Sequence, residues 1–239
     1  MPVRAIIFDL DGTLRVSRPS WDEIFIREAQ ALGVPVTPES HRRLNRWIHY
    51  FWASSEQLRH WLRKYGESAD FWIAFNAERL RRLGCDEACV RALAPKLYER
   101  LNSLEDTVED VVPEDVVPTL QALKARGYRL GLLTNRRDPL QGYLDEIGLG
   151  QWLDFALVAG QIGAWKPSPE AFLKAAEAAE VAPAEAAYVG DNYYADILGA
   201  KQAGLQPVLL DPQGLFPEAD SPVIRRIGEL PQVVEQIRS

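Results

Sequence analysis

Two aspartates, Asp9 and Asp11, stand two apart in the run FDLDGTL, where an apolar N-terminal stretch ends. Side chains at i and i+2 of an extended backbone point the same way, so both carboxylates should enter one crevice. Three further runs carry chemistry-bearing residues in the same kind of place. Thr134 and Asn135 close YRLGLLTN, Lys166 follows an apolar run in GAWKPSPEAF, and Asp191 and Asp196 lie in VGDNYYAD. Crowded carboxylates repel and need a compensating cation. The histidines, His41, His49 and His60, all fall between the first two of these runs, so imidazole is not expected at this site. Asp9, Asp11 and Asp191 without histidine offer hard oxygen ligands, the preference of Mg²⁺. Taken singly, the residues have ordinary explanations: a turn at Thr134 and Asn135, a solvated lysine, an exposed helix acid at 196. Their shared position, each at the end of an apolar run, sets them apart.

Five apolar runs must position them: VRAIIF (3–8), YRLGLLT (128–134), FALVAG (155–160), AAYVG (186–190) and QPVLL (206–210). None alternates polar with apolar, the pattern of parallel strands covered on both faces. Helical spacing fills the gaps between the last four. One helix is expected from Pro139 to Ile147. Another runs from Pro169 to Ala179, with Ser168 as N-cap and Pro169 at N1. A third extends from about Tyr193 to Ala203 and stops at Gly204. The stretch from Gly228 to Arg238 reads as one more covering helix. Strand–helix alternation of this kind predicts an α/β fold with a doubly wound, Rossmann-like parallel sheet. Ligands of such sheets bind outside the carboxyl ends of the strands, where the residues above would converge.

Residues 9–127 separate the first two strands, far more than one crossover needs. The stretch is helical in pattern and rich in aromatics, holding Trp21, Trp47, Trp52, Trp61 and Trp72 of the 7 tryptophans. In HRRLNRWIHYFWASSEQLRHWLRKYG, residues Leu44, Trp47, Ile48, Phe51, Leu58, Trp61, Leu62 and Tyr65 form one i, i+3, i+4, i+7 stripe. Two further helices are expected over 70–83 and 86–103. The chain should therefore consist of an α/β core, 1–15 and 113–239, interrupted by an inserted all-helical cap, 16–112. The acidic linker LEDTVEDVVPED leads back to the core. His49, Tyr50 and Trp52 lie off the stripe, facing cleft or solvent, and Trp165 stands beside Lys166.

The chain has 239 residues, a formal charge of −7 and 47% hydrophobic content, with a pI near 5.1. Such a length buries a sizeable core without disulfides or a structural metal. The acidic average argues against a nucleic-acid partner, which usually meets a basic face. No stretch has the ~18 apolar residues a membrane span requires, and the N-terminal apolar run is too short for a signal peptide and ends in acids. A cytoplasmic protein with no membrane partner is expected. Cys85 and Cys89 lie four apart without further ligands nearby and read as reduced thiols near a core rather than a zinc site. No feature assigns an oligomeric state.

The motifs DLDGTL (9–14), Thr134–Asn135, Lys166–Pro167 and GDNYYAD (190–196) occur in order, each at an expected strand end. In this the sequence resembles the haloacid dehalogenase superfamily of phosphohydrolases, over roughly residues 1–15 and 113–211. The helical insert occupies the place of that family's cap. The resemblance implies that Asp9 is a nucleophile attacking phosphorus to form an aspartyl-phosphate. It implies that Asp11 serves as general acid and then base, and that Thr134 and the backbone amide of Asn135 hold phosphoryl oxygens. Lys166 would neutralise their charge. Mg²⁺ would rest on the carboxylates of Asp9 and Asp191 and the main-chain carbonyl of Asp11. Asp196 would orient Lys166 or a metal-bound water.

The activity so implied is a Mg²⁺-dependent phosphatase acting on a small phosphorylated metabolite. A phosphoryl-transferring mutase would use the same residues and differ in excluding water. A phosphonate hydrolase would need a cap lysine, for which Lys64 and Lys96 have no telling context. A noncatalytic phosphate-binding module has no use for the second acid. The dehalogenase branch lacks an aspartate at the position of Asp11. The family's frequent Asp-Ser pair after DGTL is replaced here by Arg15, Val16 and Ser17, which leaves catalysis intact but the subfamily open.

Overall fold

The computed structural model describes residues 2–53 and 55–237. The chain divides into two compact units, Met1–Val16 with Val111–Ser239, and Ser17–Asp110. It opens with β1 (Ala5–Phe8) and leaves the first unit along β2 (Val16–Arg18). The second unit holds α1 (Trp21–Ala31), α2 (Pro38–Trp52), α3 (Glu56–Tyr65), α4 (Ala69–Leu83) and α5 (Glu87–Asn102). The return runs along β3 (Glu109–Val111), which pairs with β2. Alternation then resumes with α6 (Val116–Ala125), β4 (Arg129–Thr134), α7 (Gln141–Glu146), β5 (Phe155–Val158), α8 (Ala159–Ile162) and α9 (Pro169–Ala178). The last elements are β6 (Ala186–Gly190), α10 (Leu198–Gln202), β7 (Gln206–Leu210), β8 (Val223–Ile224) and α11 (Leu230–Ile237).

The strands of the first unit form a six-stranded sheet in the order β5-β4-β1-β6-β7-β8, parallel at every pairing. All residues of β1 and β6 are buried. Successive side chains of β1 go to opposite faces. Ile6 and Phe8 join Leu120, Leu123, Leu230 and Val234 from α6 and α11. Ile7 joins Phe172 and Ala175 of α9 and Ala200 of α10 on the other face. Two covered faces explain the unbroken apolar runs, and the expected doubly wound sheet is the one observed.

Local differences have local causes. Tyr193–Ile197 form a π-helical turn ahead of α10, where one regular helix was expected. Asn192 directs that turn, its side-chain oxygen accepting from the N–H groups of Tyr194 and Ala195 at 3.1 and 2.9 Å. Ser168 does precede α9, yet its hydroxyl makes no capping bond. The C-terminal helix begins as a 3-10 turn at Ile227–Glu229, and Arg238 lies outside the described residues.

In the helical unit the long aromatic stripe breaks into α2 and α3. Ser55 makes the break: its hydroxyl accepts from the Leu58 N–H at 3.0 Å as the N-cap of α3 and donates to the Phe51 carbonyl at 2.9 Å. A serine cap supplies what an interrupted helix end lacks. Phe51 is fully buried. The ring centres of Trp47, Trp52, Trp61 and Phe75 each stand 5.0–5.1 Å from that of Phe51. Cys85 precedes the N-cap residue of α5 and Cys89 lies within the helix. Both are free thiols packed against this core, and burial pushes the Cys85 thiol up to about 12. Among the described residues no helix is long and apolar enough to cross a membrane.

Phe51 should carry much of the helical unit's cohesion. Phe51→Ala is expected to cost about 3–5 kcal/mol in chemical denaturation followed by tryptophan fluorescence. A loss below about 1 kcal/mol would show that the aromatic cluster closes over the cavity without it.

Candidate active site

Lys166 gathers the residues at the strand ends. The residue is 2% exposed, and its ammonium donates to Asp9 Oδ1 at 2.7 Å, Asp196 Oδ1 at 2.7 Å and the Tyr188 hydroxyl at 3.0 Å. An ammonium has three protons, and each finds an acceptor. The backbone of Lys166 is fixed from β4. Asn135 accepts from the Lys166 N–H at 2.8 Å and donates its own amide to the Lys166 carbonyl at 2.9 Å. Asn135 thus sets the lysine's position through its side chain. Thr134, the residue before it, is buried at the end of β4.

Asp9 follows β1, its N–H bonded to the Val189 carbonyl of β6 at 2.9 Å. Asp196 reaches the site through the π-helical turn. Its Oδ2 accepts from the Asn192 N–H at 2.9 Å, and the residue is fully buried. Asp191 follows β6, and its Oδ1 accepts from the Thr13 hydroxyl at 3.3 Å. Two glycines make room for these acids. A side chain on Gly12, which has φ +89°, would start 2.6 Å from an Asp191 carboxylate oxygen, and one on Gly190 would start 2.3 Å from Asp196 Oδ2. A side chain at either place would have to push the acid aside, and at Gly12 it would also strain the backbone.

One carboxylate oxygen from each of Asp9, Asp191 and Asp196 lies within 4.8 Å of the other two. Three acids against one ammonium leave negative charge in a poorly solvated place. Burial, and then the repulsion of Asp9 and Asp196, raises the Asp191 pKa well above the usual carboxylate range. Burial likewise raises Asp9 to about 7, with Lys166 acting in the opposite direction. Lys166 itself loses from burial, yet Asp196 and Asp9 hold its pKa well above an ordinary lysine. A divalent cation among these oxygens would relieve the excess charge, so the donor set fits a hard metal.

Asp11 has hydrogen-bond partners of its own. Its carboxylate accepts from Arg136 at 2.7 and 2.6 Å and from Arg15 at 2.9 Å. Arg15 also donates to the Tyr143 hydroxyl at 3.1 Å, and the Arg136 guanidinium lies 4.9 Å from the Tyr143 ring centre. β1 ends at Phe8, and the chain is already turning toward Gly12. Arg136, directly after Asn135, is a bidentate partner of the second acid. Tyr188 is the functional side chain the sequence left unremarked. Its signal is a lone hydroxyl in an otherwise apolar buried strand, which needs a partner. It finds the Leu133 carbonyl, to which it donates at 3.0 Å, as well as Lys166.

The raised pKa of Asp9 makes stability depend on pH. Asp9 binds its proton more tightly folded, at about 7, than at the ordinary 3.8. Its contribution is therefore fully present below 3.8 and lost as pH rises through about 7. In EDTA at pH 8, Asp9→Asn should be more stable than the natural chain, and the gain should vanish toward pH 4. Urea denaturation at both pH values checks this. A variant less stable at pH 8 would mean that the bond to Lys166 outweighs burial.

The model of one protein family, the haloacid dehalogenase-like hydrolases, matches residues 3–204. Glyceraldehyde 3-phosphate phosphatase of Methanopyrus kandleri is 30% identical over 249 residues, which cover 98% of this chain and 98% of that protein. (S)-2-haloacid dehalogenase 4A of Burkholderia cepacia is 28% identical over 97% of this chain and 93% of its own. The crystal structure of a HAD phosphatase from Thermococcus onnurineus superposes with a TM-score of 0.57 at 26% identity, covering 99% of this chain and 100% of that one. The two-faced parallel sheet with acids and lysine at its strand ends thus agrees with a family match spanning most of the sequence: the chain belongs to the haloacid dehalogenase-like hydrolases.

Proposed function

We propose that this hydrolase is a Mg²⁺-dependent phosphatase acting on a small phosphomonoester through an aspartyl-phosphate. The observation that carries the proposal is the excess of buried negative charge around Lys166, where Asp9, Asp191 and Asp196 share one ammonium. That excess calls for a cation, and a halide-displacing site that works without metal has no need of it. Asp11 supports the same reading, since the dehalogenase branch lacks an acid at this place.

In this proposal Asp9 attacks phosphorus, using the carboxylate oxygen not held by Lys166. Asp11 gives a proton to the leaving alkoxide and later takes one from water. Arg136 and Arg15 hold the carboxylate of Asp11 in place through their hydrogen bonds. Thr134 and the N–H of Asn135 receive phosphoryl oxygens, and Lys166 balances their charge. Asp196 and Tyr188 act through Lys166 by fixing its ammonium. Mg²⁺ would be held by Asp9, Asp191 and the Asp11 carbonyl, and when bound it would offset the charge of carboxylates and phosphoryl group together. We assign residues 16–112 to selection among leaving groups and place the protein in the cytoplasm, where half-buried free thiols persist.

The test is phosphate release from a panel of small phosphomonoesters. Activity should need Mg²⁺, vanish on chelation, and fall by at least about 10³-fold in Asp9→Asn and about 10²-fold or more in Asp11→Asn. Halide release from 2-haloacids that survives EDTA, with no phosphate released from any ester, would overturn the reading in favour of the dehalogenase branch.

A further inference from the structure

The helical unit contains a cavity of about 470 Å³, within the range of small-molecule sites. The face of α4 bearing Trp72, Asn76 and Arg79 lines it, and Trp21, Asp22 and Trp52 contribute from α1 and α2. Its polar end is buried: Asn76 is 3% exposed and Arg79 5%. Its tryptophans are open, with Trp21, Trp52 and Trp72 each about 40% exposed. Polar groups at depth and flat apolar rings toward the mouth are the layout of a ligand pocket.

Arg79 is poorly satisfied for a buried guanidinium. Its group lies 3.4 Å from the Phe25 ring centre and 5.5 Å from that of Phe75, which fixes its plane. A long hydrogen bond reaches the Trp21 carbonyl at 3.4 Å. The nearest carboxylate oxygen, Asp22 Oδ1, is 3.9 Å away, and the other oxygen of Asp22 is taken by His41 at 2.6 Å. Among the described residues, Arg79 Nε and Asp22 Oδ1 have no hydrogen-bond partner. A purely structural buried arginine is paired and fully bonded. Burial lowers the Arg79 pKa to about 9 despite Asp22, another sign of a charge short of counter-charge.

We propose that this cavity is a binding site for a small monocarboxylate with a flat apolar body, its carboxylate taken by Arg79 and Asn76 and its body resting on the tryptophans. Aromatic rings alone would suit a cation as well. An ammonium, however, would meet Arg79 where the dielectric is low and repulsion strong. The other acids of the lining, Glu67 and Glu105, are exposed and act through solvent. Asp22 disfavours any anion here, and a phosphate dianion fits less well than a carboxylate because it sets two negative charges beside Asp22 against the one arginine of the lining.

The tryptophans supply the readout. Phenylacetate titrated into the full chain, without Mg²⁺ or phosphoester, should quench tryptophan fluorescence saturably, with one site by calorimetry. Phenethylamine and phenethyl alcohol should bind at least about tenfold more weakly. Arg79→Gln should weaken phenylacetate by about tenfold or more. Asn76→Asp, nearly unchanged in size, should do the same by repulsion and covers the case in which the arginine variant fails to fold. Folding of both is checked by circular dichroism. Three results would overturn the proposal: no saturable phenylacetate binding up to about 10 mM, phenethylamine binding as well as phenylacetate, or a folded Asn76→Asp that binds phenylacetate unchanged. None of them bears on the role of Asp9, so this inference and the phosphatase reading fail separately.

Discussion

The ammonium of Lys166 bonds at once to Asp9, Asp196 and Tyr188, three side chains delivered by different parts of the α/β unit. A buried lysine of this kind is stable only while its acceptors stay in place, and they stay only while their backbones are fixed. Much of the local structure serves that end. Asn135 grips the peptide groups of Lys166 from both sides. Tyr188 is anchored to the Leu133 carbonyl. The π-helical turn swings Asp196 back under Gly190, whose missing side chain leaves the space that the carboxylate fills. Regular α-helical geometry from Tyr193 onward would aim residue 196 elsewhere, and π turns at such places are a known way of re-aiming a side chain.

The parallel sheet is what makes this convergence possible. β1 lies between β4 and β6, in register from Ala5 to Phe8 with both neighbours. Residues just past the ends of these three strands are therefore brought to one edge of the sheet although long stretches of sequence separate them. Because the central strands are apolar on both faces, their ends are the first places where polar side chains can stand without disturbing the core.

The site keeps its acids in two groups. Asp9, Asp191 and Asp196 surround one ammonium, whereas Asp11 is matched by the guanidinium groups of Arg136 and Arg15, with Tyr143 beside both. The arginines supply Asp11 with counter-charge of its own. The two groups also have different surroundings, the first group buried with excess negative charge and the second partly open with excess positive charge. The helical unit is built on other terms. Its cohesion comes from interlocked aromatic rings around Phe51, and its one buried arginine, among the described residues, is held by ring stacking rather than by full pairing.

The sequence by itself determined the doubly wound sheet, the helical insert and the acids and lysine at the strand ends. The reason is that burial on both faces demands unbroken apolar runs, and the end of such a run shows in the chain as an abrupt change to polar residues. Helix caps such as Ser55 were equally present in the sequence, but the continuous stripe of aromatic residues hid the break they make. Only the tertiary structure decided who pairs with whom. Asn135 clamps a peptide group 31 residues away, Arg136 finds an acid 125 residues away, and Tyr188 meets a lysine 22 residues away on another segment. Nothing in local propensity encodes such pairs, because they depend on strand order and register, which bring the segments together only once the whole sheet has formed.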